Sequence, residues 1–108
     1  MRLPFVCSRN RLRSPTAEAL FSRLPGVETA SAGTSPDAEN PVSLDLVDWA
    51  DTIFVMEDVH RKKLNESFGS KLRAKKIVVL GIPDRYAYMD LELVRLLTLK
   101  LARHVKVR

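Results

Sequence analysis

The sequence predicts an α/β protein in three layers, with helices on both sides of a four-stranded parallel sheet. Apolar runs alternate with amphipathic stretches along the chain, and the runs are apolar at successive positions rather than at every second one. A strand that is buried on both faces has this pattern, which is typical of parallel sheets covered by helices. The length of 108 residues suits one domain, predicted over 1–108.

The first unit of the chain is a strand, a loop and a helix. Residues 3–6 are short and apolar, as expected of a buried strand. Ser14 and Pro15 form a good helix start, with serine as the N-cap and proline at the first helical position. Apolar residues then recur at helical spacing until Pro25 and Gly26, where we expect the helix to stop.

The remaining elements continue this alternation. We expect strands over 27–32, 52–56 and 76–82, helices over 41–49 and 58–68, and a last helix from about Asp90. That last helix has one apolar face, formed by Val94, Leu97, Leu101 and Val105. Ligands bind beyond the carboxyl ends of parallel strands, so the loops that follow strands 1 and 4 are predicted to open onto one binding rim.

Composition and charge narrow the classes of partner and location. The net charge is +5, and basic residues gather at 9–13, 61–63 and 71–76, which favours an anionic partner. Nucleic acid is not favoured as that partner, because aromatic residues are not interleaved with the basic runs. The chain has no apolar stretch of membrane-spanning length, no signal-peptide pattern and a single cysteine. We therefore expect a cytoplasmic protein without a membrane partner.

Cys7, the single cysteine, stands at the end of the first predicted strand. Five residues separate it from Arg13, which is followed at once by Ser14. This segment, the Cys7 loop (residues 7–14), ends at a helix N-terminus, where backbone N–H groups and the helix dipole favour a bound phosphate and a thiolate. A planar guanidinium adds bidentate binding of phosphoryl oxygens. The spacing predicts a phosphate-binding loop that contains a nucleophile.

The run VCSRNRLRSPTAEA at residues 6–19 closely resembles the signature of the low-molecular-weight protein tyrosine phosphatase family. Weaker matches follow in order at 31–34, 55–57 and 82–86, so the resemblance extends over most of the chain. It implies the α/β fold of that family and hydrolysis of a phosphomonoester without a metal or another cofactor. The implied partner is a phosphorylated substrate, either a protein or a small molecule.

The resemblance also implies roles for individual residues. Cys7 would attack phosphorus as a thiolate and form a phosphocysteine intermediate, and Arg13 would clamp two phosphoryl oxygens. Ser14 would donate a hydrogen bond to the sulfur, and Asn10 would hold the loop, since asparagine tolerates left-handed backbone angles. Asp84 would protonate the leaving oxygen and then activate water. The phosphate would be bound by Ser8, Arg9, Asn10, Arg11, Leu12, Arg13 and Ser14.

Alternatives remain for residues near the predicted pocket. Asp90 rivals Asp84 as the general acid, although its position at a helix start fits an N-cap. Tyr86 and Tyr88 fit the pocket rim and a loop packing role equally well. His60 lies on a predicted helix amid basic residues and is expected at the surface.

The chain departs from the family pattern in ways that bear on the substrate. It is shorter than usual, and the contraction falls between 34 and 49, where typical members carry aromatic residues that wall the phosphotyrosine ring. Arg85 stands where the family has proline, and Leu12 replaces a second loop cysteine that would protect the first by disulfide formation. Arg9 and Arg11 add positive charge. Together these differences favour a small or highly anionic phosphorylated substrate.

Two other functions are weighed against the phosphatase. An arsenate reductase can arise on the same scaffold, but with one cysteine it would depend on an external thiol such as glutathione. A phosphate-recognition module would bind without turnover. The sequence offers a nucleophile, a phosphate-binding arginine and an acid, and this set of residues disfavours a recognition module without turnover.

Overall fold

The computed structural model describes residues 1–105, and strands alternate with helices along this part of the chain. The strands are β1 (Arg2–Cys7), β2 (Glu28–Gly33), β3 (Thr52–Val55) and β4 (Lys76–Val79). The α-helices are α1 (Arg13–Phe21), α2 (Leu44–Trp49), α3 (Asp58–Phe68) and α4 (Leu91–Leu101), and a 3₁₀ turn spans Gly69–Leu72. All strand pairs are parallel, which confirms the predicted fold class. The domain predicted over 1–108 includes 106–108, which lie outside the described residues.

The strand order β2-β1-β3-β4 places the first strand inside the sheet. β1 pairs along its whole length with β2, from Arg2 opposite Glu28 to Cys7 opposite Gly33. On its other side it pairs with β3, where Phe5 lies opposite Phe54. Because β1 has neighbours on both sides, Cys7 is held at the carboxyl rim between two strands.

Each face of the sheet packs against helices, and successive residues of β1 point to opposite faces. Phe5 belongs to the core on the side of α1 and α4, where its ring stacks on Phe21 at 5.8 Å and on Phe54 at 5.5 Å between centroids. Val6 belongs to the second core, which includes Leu64 of α3. Within residues 1–105, no helix has the length and apolar character needed to cross a membrane.

Several element ends differ from the predictions. α1 begins at Arg13 rather than after a Ser14 cap, because the Ser14 hydroxyl is engaged elsewhere, and it ends at Phe21, before the predicted stop. α2 begins only at Leu44, because Ser43 caps it by accepting a hydrogen bond from the Leu46 backbone N–H at 3.2 Å. β4 ends at Val79.

The last helix follows its predicted start but turns a slightly different face inward. Asp90 is the N-cap, and its Oδ1 accepts a hydrogen bond from the Glu92 backbone N–H at 2.8 Å. The buried residues of the helix and its following turn are Leu93, Leu97, Leu101 and Val105. Val94, predicted on this face, is only half-buried, because the inward stripe passes through the preceding residue.

Candidate active site

The Cys7 loop turns around its own sulfur atom. Asn10 has φ 57°, in the left-handed region that asparagine tolerates better than most residues. This conformation directs the Asn10 backbone N–H toward Cys7 Sγ, at 3.3 Å. The loop therefore supplies a backbone donor to the sulfur at the position where the sequence predicts a thiolate.

Ser14, which is fully buried, supplies a second polar contact to the sulfur. Its Oγ lies 2.9 Å from Cys7 Sγ and 2.9 Å from Asn10 Oδ1. A serine hydroxyl has one hydrogen and two lone pairs. With Cys7 as a thiol, Ser14 can accept from the sulfur while it donates to Asn10; with a thiolate, the same hydrogen can turn to the sulfur. The arrangement accommodates both states of the nucleophile.

The segment that follows β2 supports the loop from the side. The Thr34 backbone N–H donates to the Cys7 carbonyl at 2.9 Å, and the Ser35 N–H donates to the Ser8 carbonyl at 2.9 Å. Gly33 makes this approach feasible, because a Cβ at this position would stand 2.5 Å from the Ser8 carbonyl oxygen. The Gly33 position thus requires a residue without a side chain.

Arg13 is buried, and three groups at the carboxyl rim fix its guanidinium. Its Nη1 donates to the carbonyl of Ile82 at 2.7 Å and to Glu57 Oε1 at 2.5 Å. Its Nε lies 3.7 Å from Asp84 Oδ1. Glu57 and Ile82 lie in the segments that follow β3 and β4, so residues distant in sequence orient the arginine of the Cys7 loop.

A cleft of about 460 Å³ opens beside the sulfur. Its lining consists of Cys7, Ser8, Arg9, Arg11, Leu12, Arg13 and Asp84. The structure thus brings the predicted nucleophile, arginine and acid to one cavity. Arg9 and Arg11 are exposed at its edge and make that edge cationic.

The other predicted site residues lie outside this lining. Asn10 and Ser14 are buried behind the sulfur, where they support the loop from within. Tyr86 is half-buried, Tyr88 is exposed, and Asp90 caps α4. Within residues 1–105, no group of three or more His, Cys, Asp or Glu side chains is arranged to hold a metal ion.

The prediction of a surface position for His60 is wrong. Its side chain is 1% exposed, and its two ring nitrogens contact different elements. Nδ1 accepts a hydrogen bond from the Glu57 backbone N–H at 3.0 Å, and Nε2 lies 2.9 Å from Ser8 Oγ. Burial, with the nearby Arg13 guanidinium, lowers the pKa of His60 from 6.5 to about 4, against the opposing effect of Glu57 and Asp84.

Sequence reasoning could have found part of this arrangement. Glu57 is the N-cap of α3 and His60 is at its N3 position, and the two form a reciprocal capping box. The spacing of such a box is visible in a sequence, but histidine is an unusual partner at N3 in place of glutamate or glutamine. Nothing in the local sequence indicates that the far side of the ring meets Ser8.

Solved structures resemble this one over nearly the whole chain, although no protein-family model and no curated protein sequence matches it. A YwlE arginine phosphatase, the C7S mutant with a phosphorylated active-site serine, is 25% identical, with 98% of this chain and 96% of that chain covered and a TM-score of 0.74. The low-molecular-weight protein tyrosine phosphatase SP-PTP from Streptococcus pyogenes is 20% identical over 97% and 93% of the two chains, with a TM-score of 0.75. The tyrosine phosphatase Wzb from Escherichia coli K30, in complex with phosphate, is 22% identical over 94% of each chain, with a TM-score of 0.76.

These similarities confirm, at the level of the fold, the resemblance stated from the Cys7 loop. They extend through all four strands, including the segments in which the sequence matches were weak. The chain has the fold of the low-molecular-weight protein tyrosine phosphatases.

Proposed function

We propose that this protein is a metal-independent, cysteine-dependent phosphatase that hydrolyses a phosphomonoester through a phosphocysteine intermediate. The observation that carries the proposal is the shared cleft of Cys7, Arg13 and Asp84. A buried thiol with two polar contacts, a fixed guanidinium and an exposed carboxylate are the parts that the two-step reaction requires. The cytoplasmic location and the single domain over 1–108 remain parts of this proposal.

In the first step the Cys7 thiolate attacks phosphorus. An S–P bond forms as the bond between phosphorus and the ester oxygen breaks, and the leaving oxygen takes a proton from Asp84. Arg13 and the loop N–H groups would bind the equatorial oxygens, where negative charge is concentrated in phosphoryl transfer. Glu57 and the Ile82 carbonyl hold the arginine in advance, so little reorganisation is needed when the substrate arrives.

In the second step water replaces the sulfur. Asp84, now ionised, takes a proton from a water molecule whose oxygen attacks phosphorus, and the S–P bond breaks. The departing thiolate receives the hydrogen bond of Ser14, which lies at 2.9 Å. Asp84 suits both steps because its side chain is 64% exposed and can reach substrate and water. Asp90 is less suited, because its carboxylate already caps α4.

The cleft supports an anionic substrate. Arg9 and Arg11 line its edge, and within the described residues no aromatic side chain contributes to the lining. A small phosphorylated compound or a phosphorylated segment with further negative charge would bind favourably there. The similar structures include both tyrosine and arginine phosphatases, so phosphotyrosine and phosphoarginine are the two reference substrates to compare.

The experiment is hydrolysis of para-nitrophenyl phosphate in the presence of EDTA, with the intact chain and Cys7→Ser in parallel. We expect turnover that vanadate inhibits and that Cys7→Ser abolishes. Rapid quenching of the intact enzyme with labelled substrate should trap a covalent phosphoprotein. Phosphotyrosine peptide and phosphoarginine are then compared by phosphate release.

Each other outcome favours a different function. Phosphate binding without turnover of any of these substrates would favour a recognition module. Glutathione-dependent reduction of arsenate, without phosphate ester hydrolysis, would favour the reductase. Turnover that persists in Cys7→Ser would overturn the proposed nucleophile.

A further inference from the structure

His60 is buried next to the cleft but lies outside its lining. Its hydrogen bond to the cleft lining is with Ser8, whose Oγ lies 2.9 Å from Nε2. Ser8 itself lines the cleft beside Cys7 and is half-buried. The ring therefore forms a connection between the start of α3 and a hydroxyl that a bound phosphoryl group would meet.

The direction of the hydrogen bond between His60 and Ser8 follows from the other side of the ring. The Glu57 backbone N–H can only donate, so Nδ1, at 3.0 Å, must be the unprotonated acceptor. In a neutral imidazole the remaining hydrogen is then on Nε2, which donates to Ser8 Oγ. Ser8 is the acceptor in this bond, and its own hydroxyl hydrogen is not used by the histidine.

We propose that His60 is a positioning residue, which holds Ser8 Oγ as an acceptor so that the Ser8 hydroxyl hydrogen donates to a phosphoryl oxygen in the cleft. Without the ring, the hydroxyl could rotate and offer a lone pair to the anion instead of its hydrogen. The inference rests on the proposed function, since it concerns the same phosphate site. It adds a residue of α3 to the recognition of phosphate.

The surroundings keep the ring in this single form. Arg13 of α1 and Lys63 of α3 oppose its protonation, whereas Glu57 and Asp84 favour it. Burial and Arg13 prevail, and the pKa is lowered to about 4. A second proton on Nδ1 would also face the Glu57 N–H, two donors in contact. At neutral pH the ring thus stays in the neutral form whose Nε2 donates to Ser8.

The test uses two isosteric replacements that separate the two sides of the ring. His60→Asn keeps an acceptor near the Nδ1 position for the Glu57 N–H but is too short to reach Ser8. His60→Gln places an amide N–H near the Nε2 position and keeps the contact with Ser8. Both are combined with Ser8→Ala in a double-mutant cycle, and the readouts are the Kd of inorganic phosphate by calorimetry and kcat/KM for para-nitrophenyl phosphate.

We expect Ser8→Ala to weaken phosphate binding about tenfold, the loss of one hydrogen bond to a charged group. His60→Asn should weaken it about three- to tenfold in the wild-type background but less than twofold in the Ser8→Ala background. His60→Gln should recover most of what His60→Asn loses. The matched control is Leu64→Ala, one turn further along α3 and buried in the second core, which should lower Tm while the phosphate Kd stays within twofold.

Two results would overturn the inference and leave the phosphatase intact. One is an equal loss from His60→Asn in the presence and absence of the Ser8 hydroxyl, which would mean that the histidine acts through general stability. The other is an unchanged phosphate Kd in His60→Asn. If the intact chain neither binds phosphate nor hydrolyses the ester, the proposed function fails first and the inference falls with it.

Discussion

The Cys7 loop and the loop that carries Asp84 lie at the same rim but differ in how they are held. The Cys7 loop has internal hydrogen bonds from Asn10 and Ser14 and external support from the chain after β2. The residues of the Asp84 loop (residues 83–89) are mostly exposed. At the end of this loop the Met89 backbone N–H donates a hydrogen bond to Thr16 Oγ1 at 3.0 Å. The difference indicates that the proposed phosphate site is preformed, whereas the proposed acid lies on a more exposed loop.

The largest effect should come from Arg13→Lys, which keeps the charge but loses the planar fork. We expect kcat/KM to fall at least about 10³-fold, because an ammonium cannot bind two phosphoryl oxygens and contact Glu57 at the same time. Arg23→Lys, at an exposed position of the surface, is the control and should be unaffected. Activity within tenfold of the intact chain would show that the arginine acts as a charge alone.

Asp84→Asn should produce the next largest effect, and its size should depend on the leaving group. For an alkyl or unsubstituted phenyl phosphate, which needs protonation, we expect a loss of about 10²–10³-fold in kcat/KM. For para-nitrophenyl phosphate the loss should be much smaller. Asp90→Asn is the matched control, because asparagine is also a good N-cap and should preserve α4. A loss in Asp90→Asn that is large for the poor leaving groups and small for para-nitrophenyl phosphate would instead assign the acid role to Asp90.

The buried His60 predicts a pH dependence of stability. Between pH 6.5 and about 4 the unfolded chain binds a proton at this ring and the folded chain does not, so the free energy of unfolding decreases as the pH falls through this window. The decrease in the free energy of unfolding caused by this ring should reach about 3 kcal/mol near pH 4 and should vanish above pH 6.5. Urea unfolding at several pH values should show this slope in the intact chain and a smaller one in His60→Gln.

Gly33→Ala tests the support of the preformed loop from the neighbouring strand. The new methyl group would meet the Ser8 carbonyl at 2.5 Å, so we expect a loss of about 1–3 kcal/mol in unfolding free energy and weaker phosphate binding. The control is Gly69→Ala, where φ is 32° and a Cβ has free space. That variant should lose stability through backbone strain while its phosphate Kd stays unchanged. Equal phosphate affinity in both variants would contradict the role of Gly33.

Parts of the fold and of the candidate site could be predicted from the sequence. The alternation of strands with helices and the position of Cys7 at a strand end follow from local patterns, because an apolar run, a loop and a helix start are contiguous. The predicted start of α1 is wrong because Ser14, a favourable N-cap by propensity, directs its hydroxyl to the sulfur instead. Tertiary contacts override propensity at this position.

Glu57 and His60 could not be predicted as parts of the site for a related reason. Their contacts with Arg13 and Ser8 join residues 44 and 52 positions apart, and such pairs are defined only when β1 and β3 are neighbours in the sheet. The basic residues around His60 indicate a surface helix, and most of that helix is indeed exposed. His60 is an exception in the first turn, because its ring contacts Ser8 of the Cys7 loop while Asp58 and Val59 beside it are exposed.

The inner position of β1 has a consequence for local unfolding. Amide hydrogens between two paired neighbours exchange mainly when the whole domain opens, whereas those of edge strands exchange through smaller openings. The amide hydrogens of β1, the strand that ends at Cys7, should therefore be among the slowest to exchange. They should exchange much more slowly than those of β4 at the sheet edge. A partly unfolded molecule that has released β4 would still hold Cys7 in its register between β1 and β2. It would lack the hydrogen bond from Arg13 to the Ile82 carbonyl, which orients the arginine.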